Sequence, residues 1–314
     1  MTNLTILDAH CDIITKLMET NEELYANSHH FDLQRTKKYQ GFVQFFAAFV
    51  HTEYYPDNAY RRCIDVIKHF NAEVAKNDKH IMFIKEYAHI QEAISQGKVA
   101  AILTIENAAA LAGDIKKLDE FYNLGVRSIC LTWNGPNQLA DGVRGDEING
   151  GLTPFGVDIV KRMNELGMLV DVSHITEPSF WDVINTGITP VIASHSNSKK
   201  VCPHVRNLTD EQFHALIKTG GVTGINLCPP FLNENNNPNI NDIVHHIEHF
   251  MSLGGENHVG LGADFDGISR TPADVTGIEC LEDVFEALLR RNYSEEQVRK
   301  IAGLNFLRVL EQVI

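Results

Sequence analysis

The chain has 314 residues, enough to bury a large core in one domain or two. Hydrophobic residues make up 44% and charged residues 22%, the composition of an ordinary soluble globular protein. The formal net charge of −14 argues against nucleic acid or an anionic membrane as a partner, since both need a basic surface.

The N-terminal Met-Thr-Asn-Leu has neither a basic segment nor a long apolar one, and no run approaches roughly 18 apolar residues. Neither a signal peptide nor a membrane span is expected. The cysteines (Cys11, Cys63, Cys130, Cys202, Cys228, Cys280) are scattered without CxxC spacing. They read as reduced thiols of a cytoplasmic protein. The count of 15 histidines is high and directs attention to metal ligands.

In chain order, the first apolar run is Leu4 to Asp12. It ends Ala-His-Cys-Asp. His10 and Asp12, two apart on an extended strand, point the same way and offer a bite for a divalent metal. A polar helix-like stretch follows, and His29 and His30 read as loop surface. The run Gly41 to Val50 is nearly all apolar, as a strand buried on both faces should be. Residues 57 to 96 carry helical spacing through Ile64, Ile67, Phe70 and Val74. Val99 to Ile105 is the third predicted strand and runs into Glu106; a helix through Phe121 follows it. The fourth strand, Val126 to Thr132, leads into Trp133 and Asn134 and a glycine-rich loop from Gly135 to Gly151.

The second half repeats the alternation. A helix spans Thr153 to Leu166, with Thr153 as N-cap and Pro154 at its first position. Strand five, Met168 to Val172, closes on Ser173 and His174. After a helix near Ser179 to Asn185, strand six, Pro190 to Ser194, closes on His195. A helix at 209–219 precedes strand seven, Gly221 to Leu227. A histidine-rich helix from Ile240 to Leu253 precedes strand eight, His258 to Ala263, which ends in Asp264. A long amphipathic helix runs from Ser294 to Val313.

Eight apolar runs alternating with helices fit a single (β/α)8 barrel domain over residues 1–314, with long loops after the first, second and fourth strands. A doubly wound sheet is the alternative, but Ala9-His10-Cys11-Asp12 is not the glycine-rich turn it usually needs. In a barrel all strand C-termini meet on one face. His10, Asp12, Glu106, His174, His195 and Asp264 would therefore converge. Five ligands are too many for one open catalytic zinc, but suit two metals about 3.5–4 Å apart. Glu106 would bridge, with His10 and Asp12 on one metal and His174 and His195 on the other. A water shared by the metals would titrate near neutrality, and Asp264 would accept its proton and pass it to the leaving group.

At this point the sequence resembles the membrane (renal) dipeptidase family, a branch of the amidohydrolase superfamily. The resemblance runs through Asp8–Asp12, Gly41–Phe46, Thr104–Glu106, Leu152–Gly156, Asp171–His174, Ser194–Ser196, Arg206-Asn207, Gly220–Val222 and Gly262–Gly267, essentially the whole chain. It implies a hydrolase with two zinc ions per chain that cleaves dipeptides, often with a D-residue at the C-terminal position. It implies zinc ligation by the five residues above, Asp264 as proton carrier, and a homodimer. Arg206, 11 residues past His195, falls where the family grips the substrate carboxylate. A guanidinium is the right group for a bidentate carboxylate contact. The chain departs from the family at Trp133, where many members place a histidine that polarises the scissile carbonyl. Trp133 or Asn134 would donate a hydrogen bond to substrate instead. Two other readings remain: an amidohydrolase acting on N-acyl amino acids or lactones, and an inactive metal-binding relative. An intact Asp264 argues against the second.

Overall fold

A computed structural model describes residues 4–144, 150–187 and 190–314. The predicted glycine-rich loop therefore lies partly outside the described residues. Among the described residues nine parallel strands form: β1 (Thr5–Cys11), β2 (Gly41–Phe49), β3 (Ile81–Phe83), β4 (Val99–Glu106), β5 (Val126–Cys130), β6 (Leu169–Asp171), β7 (Val191–Ala193), β8 (Val222–Ile225) and β9 (Val259–Leu261). β1 pairs with both β2 and β9, and β2 pairs with β4. Eight strands thus close into a ring, with helices around them, and the architecture is the (β/α)8 barrel.

The exception is β3. It pairs with Val99–Ala101 of β4, on the edge that β5 occupies from Leu103 onward. It is an outrigger of the ring. The helical spacing over 57–96 accordingly breaks into a helix at Ala59–Lys76, then β3, then a helix at Ala88–Ser95. The short apolar run of β3 closes on Lys85 rather than on a His, Asp or Glu, so it merges with the helical pattern on either side.

β2 and β4 run in register from Val43↔Ala100 to Phe49↔Glu106. Alternate residues share a face, so Val43, Phe45, Ala100 and Ile102 lie below Glu106 on its side of the sheet. They pack with Leu7, Leu169, Ile192 and Val222, and with Phe306, Val309 and Leu310 of the C-terminal helix. This apolar plug fills one end of the barrel and leaves the other to polar groups. The predicted helix from Ser294 to Val313 carries a π-helical segment at Lys300–Leu304. There Gly303 lies against β1, where an added Cβ would stand 2.9 Å from the Thr5 carbonyl oxygen. The region expected to be helical up to Phe121 is a 3-10 turn at Ala108–Leu111 and then a helix at Lys116–Leu124. Left-handed Ala112 and Gly113 stand between them.

Local signals explain other helix starts. Thr153 accepts from the Gly156 N–H with Pro154 in the first turn, and Thr209 and Gln212 form a capping box. No helix among the described residues is long and apolar enough to cross a membrane. All six cysteines are free.

Candidate active site

The strand ends deliver the predicted side chains to one place. Glu106 is the last residue of β4. Its Oε1 lies 3.0 Å from His174 Nε2 and 3.9 Å from His195 Nε2, and its Oε2 lies 3.5 Å from His10 Nε2. His10 Nε2 is also 3.2 Å from Asp12 Oδ2. Asp12 is not on an extended strand, as the two-residue spacing implied. It sits at the N-cap of the helix Ile13–Thr20 with φ −99° and ψ 14°. An aspartate there ordinarily caps the helix through its side chain. This one makes no cap, and its buried Oδ1 has no hydrogen-bond partner among the described residues. The carboxylate is turned away from its local structural role and into the site.

The histidines are set up to ligate. His174 and His195 place their Nε2 atoms 2.9 Å apart. His174 Nδ1 faces the amide oxygen of Asn134 at 3.0 Å, and His195 Nδ1 faces Ser194 Oγ at 2.7 Å. With Nδ1 donating in each case, both Nε2 atoms carry lone pairs. Burial pushes both imidazoles well below their ordinary pKa, so both are neutral. Two facing lone pairs at this distance repel unless a cation lies between them. Burial pushes the Glu106 carboxyl up to about 7, and the Asp12 charge adds to the effect. Burial lowers His10 too, but Glu106 and Asp12 outweigh it and hold its pKa well above the usual value. Buried carboxylates and neutral imidazoles in one cluster are the donor set of a divalent metal, and the residues fit such an ion. Close clusters include His10, Glu106 and His195, and His10, Asp12 and Asp264.

Asp264 follows β9 with a left-handed backbone, φ 61°, and His174 has φ 67°. Such conformations in non-glycine residues are costly and persist where a site demands them. Asn226 Nδ2 donates to Asp264 Oδ2 at 2.9 Å. Burial pushes the Asp264 carboxyl up to about 6. Gly267 makes room for this arrangement, because a Cβ there would sit 2.3 Å from Asp12 Oδ2 and 2.4 Å from Asp264 Oδ1.

A cleft of about 210 Å³ opens onto Asp12, Glu106, His174 and Asp264, walled by Phe49, Trp133, Phe231 and Ile268. The Trp133 ring stands 5.3 Å from Phe49 and 5.0 Å from His51. Asn134 also lines the cleft, with its Oδ1 committed to His174 and only its Nδ2 left to donate to substrate. Arg206 is 5% exposed and lies beside this centre, with Nη2 3.3 Å from the His195 carbonyl oxygen and Nη1 3.5 Å from Ser196 Oγ.

Three features escaped the sequence reading. Asn226 supports Asp264 from the loop after β8, a predicted strand for which no end residue was assigned. Its signal was a lone polar residue closing an apolar run. Asp171 and Ser194 surround His195 and lay unassigned within the quoted motifs. His30 is not loose surface: its backbone N–H donates to Asp266 Oδ1 at 2.8 Å, and the Asp266 N–H donates to its Nδ1 at 3.0 Å.

The family model for membrane dipeptidase, peptidase family M19, matches residues 1–314. A Klebsiella pneumoniae protein described as an uncharacterised protein in the pqqA 5' region is 36% identical over 235 residues, 72% of this chain and 86% of its own. An uncharacterised dipeptidase of Schizosaccharomyces pombe is 38% identical over 214 residues, covering 67% of this chain and 52% of its own. Among solved structures, dipeptidase AC, an M19 metallopeptidase, superposes with a TM-score of 0.92 at 28% identity, over 100% of this chain and 99% of that one. A Rhodobacter sphaeroides metallopeptidase, liganded with a phosphinate mimic of L-Ala-D-Ala, superposes with a TM-score of 0.90 at 26% identity, over 99% of both chains. The barrel, the imidazole–carboxylate cluster and the whole-chain match agree: the chain belongs to peptidase family M19, the membrane dipeptidases, a family of metallo-dipeptidases.

Proposed function

We propose that the protein is a zinc dipeptidase with two zinc ions per chain, acting on free dipeptides that include L,D-dipeptides. The observation that carries this reading is the convergence of three imidazoles on one carboxylate, with a second carboxylate against one of them. His10, His174 and His195 arrive from three separate strand ends and surround Glu106, and Asp12, at the N-cap of the helix after β1, lies against His10. In this reading His10 and Asp12 would hold one ion and His174 and His195 the other, with Glu106 available to both. When bound, the metal pair supplies Lewis acidity and brings a hydrolytic water toward neutrality.

The chain's own residues do the rest. Asp264, held by Asn226 through Oδ2 and with a pKa near 6, takes up a proton at Oδ1 and returns it to the leaving amine. Arg206 forms no ion pair among the described residues and holds the substrate's terminal carboxylate. Fixing that carboxylate beside the centre leaves room for one residue after the scissile bond. Phe49 and Trp133 supply an apolar wall rather than an imidazole. The L,D preference is carried over from the L-Ala-D-Ala mimic bound to the Rhodobacter relative. Free thiols throughout are consistent with a reducing, cytoplasmic setting.

The test is hydrolysis of matched L,L- and L,D-dipeptides before chelation, after chelation, and after zinc is restored. The reading expects L,D-dipeptides to be cut, activity to vanish with the metal, and zinc to recover it. Hydrolysis that survives complete metal removal would overturn it.

A further inference from the structure

Asp171 and Ser194 have no part in the scheme above, yet they form a buried network directly behind His195. Asp171 Oδ1 accepts the backbone N–H groups of Ser173 and Ser194, each at 2.9 Å. Asp171 Oδ2 accepts the Ser194 hydroxyl at 2.5 Å. Ser194 Oγ then lies 2.7 Å from His195 Nδ1 and 3.3 Å from Ser173 Oγ. Ser173 Oγ in turn accepts the His195 backbone N–H at 3.1 Å. All four residues are buried.

The hydrogens in this network are fixed by counting. An ionised carboxylate only accepts, and a serine hydroxyl has one hydrogen to give. That hydrogen goes to Asp171. Ser194 Oγ therefore meets His195 with a lone pair, and Nδ1 must carry the ring hydrogen. The remaining nitrogen, Nε2, is left bare toward Glu106 and His174. We infer that Asp171 and Ser194 are a relay that holds His195 in the Nδ1–H tautomer, making them positioning residues for the metal centre. The inference rests on the reading of His195 as a ligand. The partners that orient a ligating histidine typically matter 10–100-fold in metal affinity, to order of magnitude (~).

A purely structural role is the competitor, since Asp171 also ties the end of β6 to β7 through two backbone N–H groups. Asp171→Asn separates the two. Its Oδ1 keeps both backbone contacts, while the new amide donates where Oδ2 accepted. Ser194 must then turn its hydrogen toward His195, which moves the ring hydrogen to Nε2. The readout is the 15N NMR signature of the His195 ring in metal-free protein, assigned by its loss in His195→Gln. Zinc affinity by chelator competition and the melting temperature of the metal-free protein accompany it.

Wild type is expected as the Nδ1–H tautomer and Asp171→Asn as the Nε2–H tautomer, with zinc affinity about 10–100-fold weaker and little change in apo melting. Ser194→Ala should lose affinity in the same range, and Ser194→Thr, which keeps the hydroxyl, should restore it. An Nδ1–H ring in Asp171→Asn, or wild-type zinc affinity in Ser194→Ala, would overturn the relay. The tautomer is read without metal. A wild type that takes up no zinc would therefore defeat the ligand reading while leaving the relay decided on its own signal.

Discussion

Replacing Arg206 should convert a dipeptidase into an enzyme blind to the substrate's C-terminus. The guanidinium is buried, but the protein uses little of it. Of its five N–H donors, Nη1 and Nη2 each make one long bond, at 3.5 and 3.3 Å, and the buried Nε has no partner among the described residues. Its Cζ lies 5.5 Å over the Phe231 ring, on the wall of the cleft. Burial lowers its pKa, so the charge is held there at a cost that a bound carboxylate would offset. Removing one partner of a buried, hydrogen-bonded charge pair costs about 3–5 kcal/mol. At about 1.4 kcal/mol per decade, kcat/KM should fall about 10²–10⁴-fold, largely through KM. Arg206→Lys should recover little, because one ammonium cannot reproduce the planar fork. The assay compares an L,D-dipeptide with its C-terminal amide on wild type, Arg206→Ala and Arg206→Lys, with metal content and melting temperature as controls. Wild type should cut the acid and barely the amide, and Arg206→Ala should treat both alike. Equal hydrolysis of acid and amide by wild type would refute the clamp and favour an amidohydrolase of broader substrates.

Three further outcomes follow from the geometry. Asp264→Asn should keep its metal and its substrate affinity but lose about 10²–10⁴-fold in kcat, the usual range for a proton-transfer group; loss of metal instead would make Asp264 a ligand first. Glu106→Gln should weaken metal binding at both positions, since this one carboxylate faces His10, His174 and His195 together; a variant that loses one metal and keeps the other at full affinity would argue against a shared carboxylate. Away from the centre, His246 accepts the Ser198 N–H at Nδ1 and donates to the Leu232 carbonyl from Nε2, and burial pushes its pKa down to about 4. Its folded pKa lies below the unfolded value of 6.5, so its neutral form stabilises the fold above pH 6.5, and that contribution is lost as pH falls toward 4. The loss amounts to about 3 kcal/mol. His246→Gln should flatten the stability profile across that window by about one proton, and parallel profiles for variant and wild type would contradict the assignment.

The barrel was legible because most of its strands lie in apolar runs that close on His, Asp or Glu. β2 and β4 are the clearest examples, and Glu106 marks the end of one of them. β3 was hidden because its short run, Ile81 to Phe83, closes on no His, Asp or Glu and sits between two helices of similar apolar spacing. The five clustered groups could be named in advance, since His, Asp and Glu at strand ends narrow the chemistry. Their geometry could not: Asp12 reaches the site from a helix N-terminus rather than along the strand. The supporting residues were harder to see. Ser194, Asp171 and Asn226 are ordinary residue types, and their roles depend on partners such as the pair Asn226 and Asp264, 38 positions apart in sequence. His30 looked like loop surface because its partner, Asp266, lies 236 positions away.

The central claim is two metals sharing Glu106. It is tested most directly by anomalous X-ray scattering at the zinc edge on crystals of the zinc-loaded, fully active enzyme, with elemental analysis of the same preparation. The account predicts two zinc peaks flanking the Glu106 carboxylate, one against His10 and Asp12 and the other against His174 and His195, with close to two zinc per chain. A fully active enzyme with a single peak, or none, would contradict it.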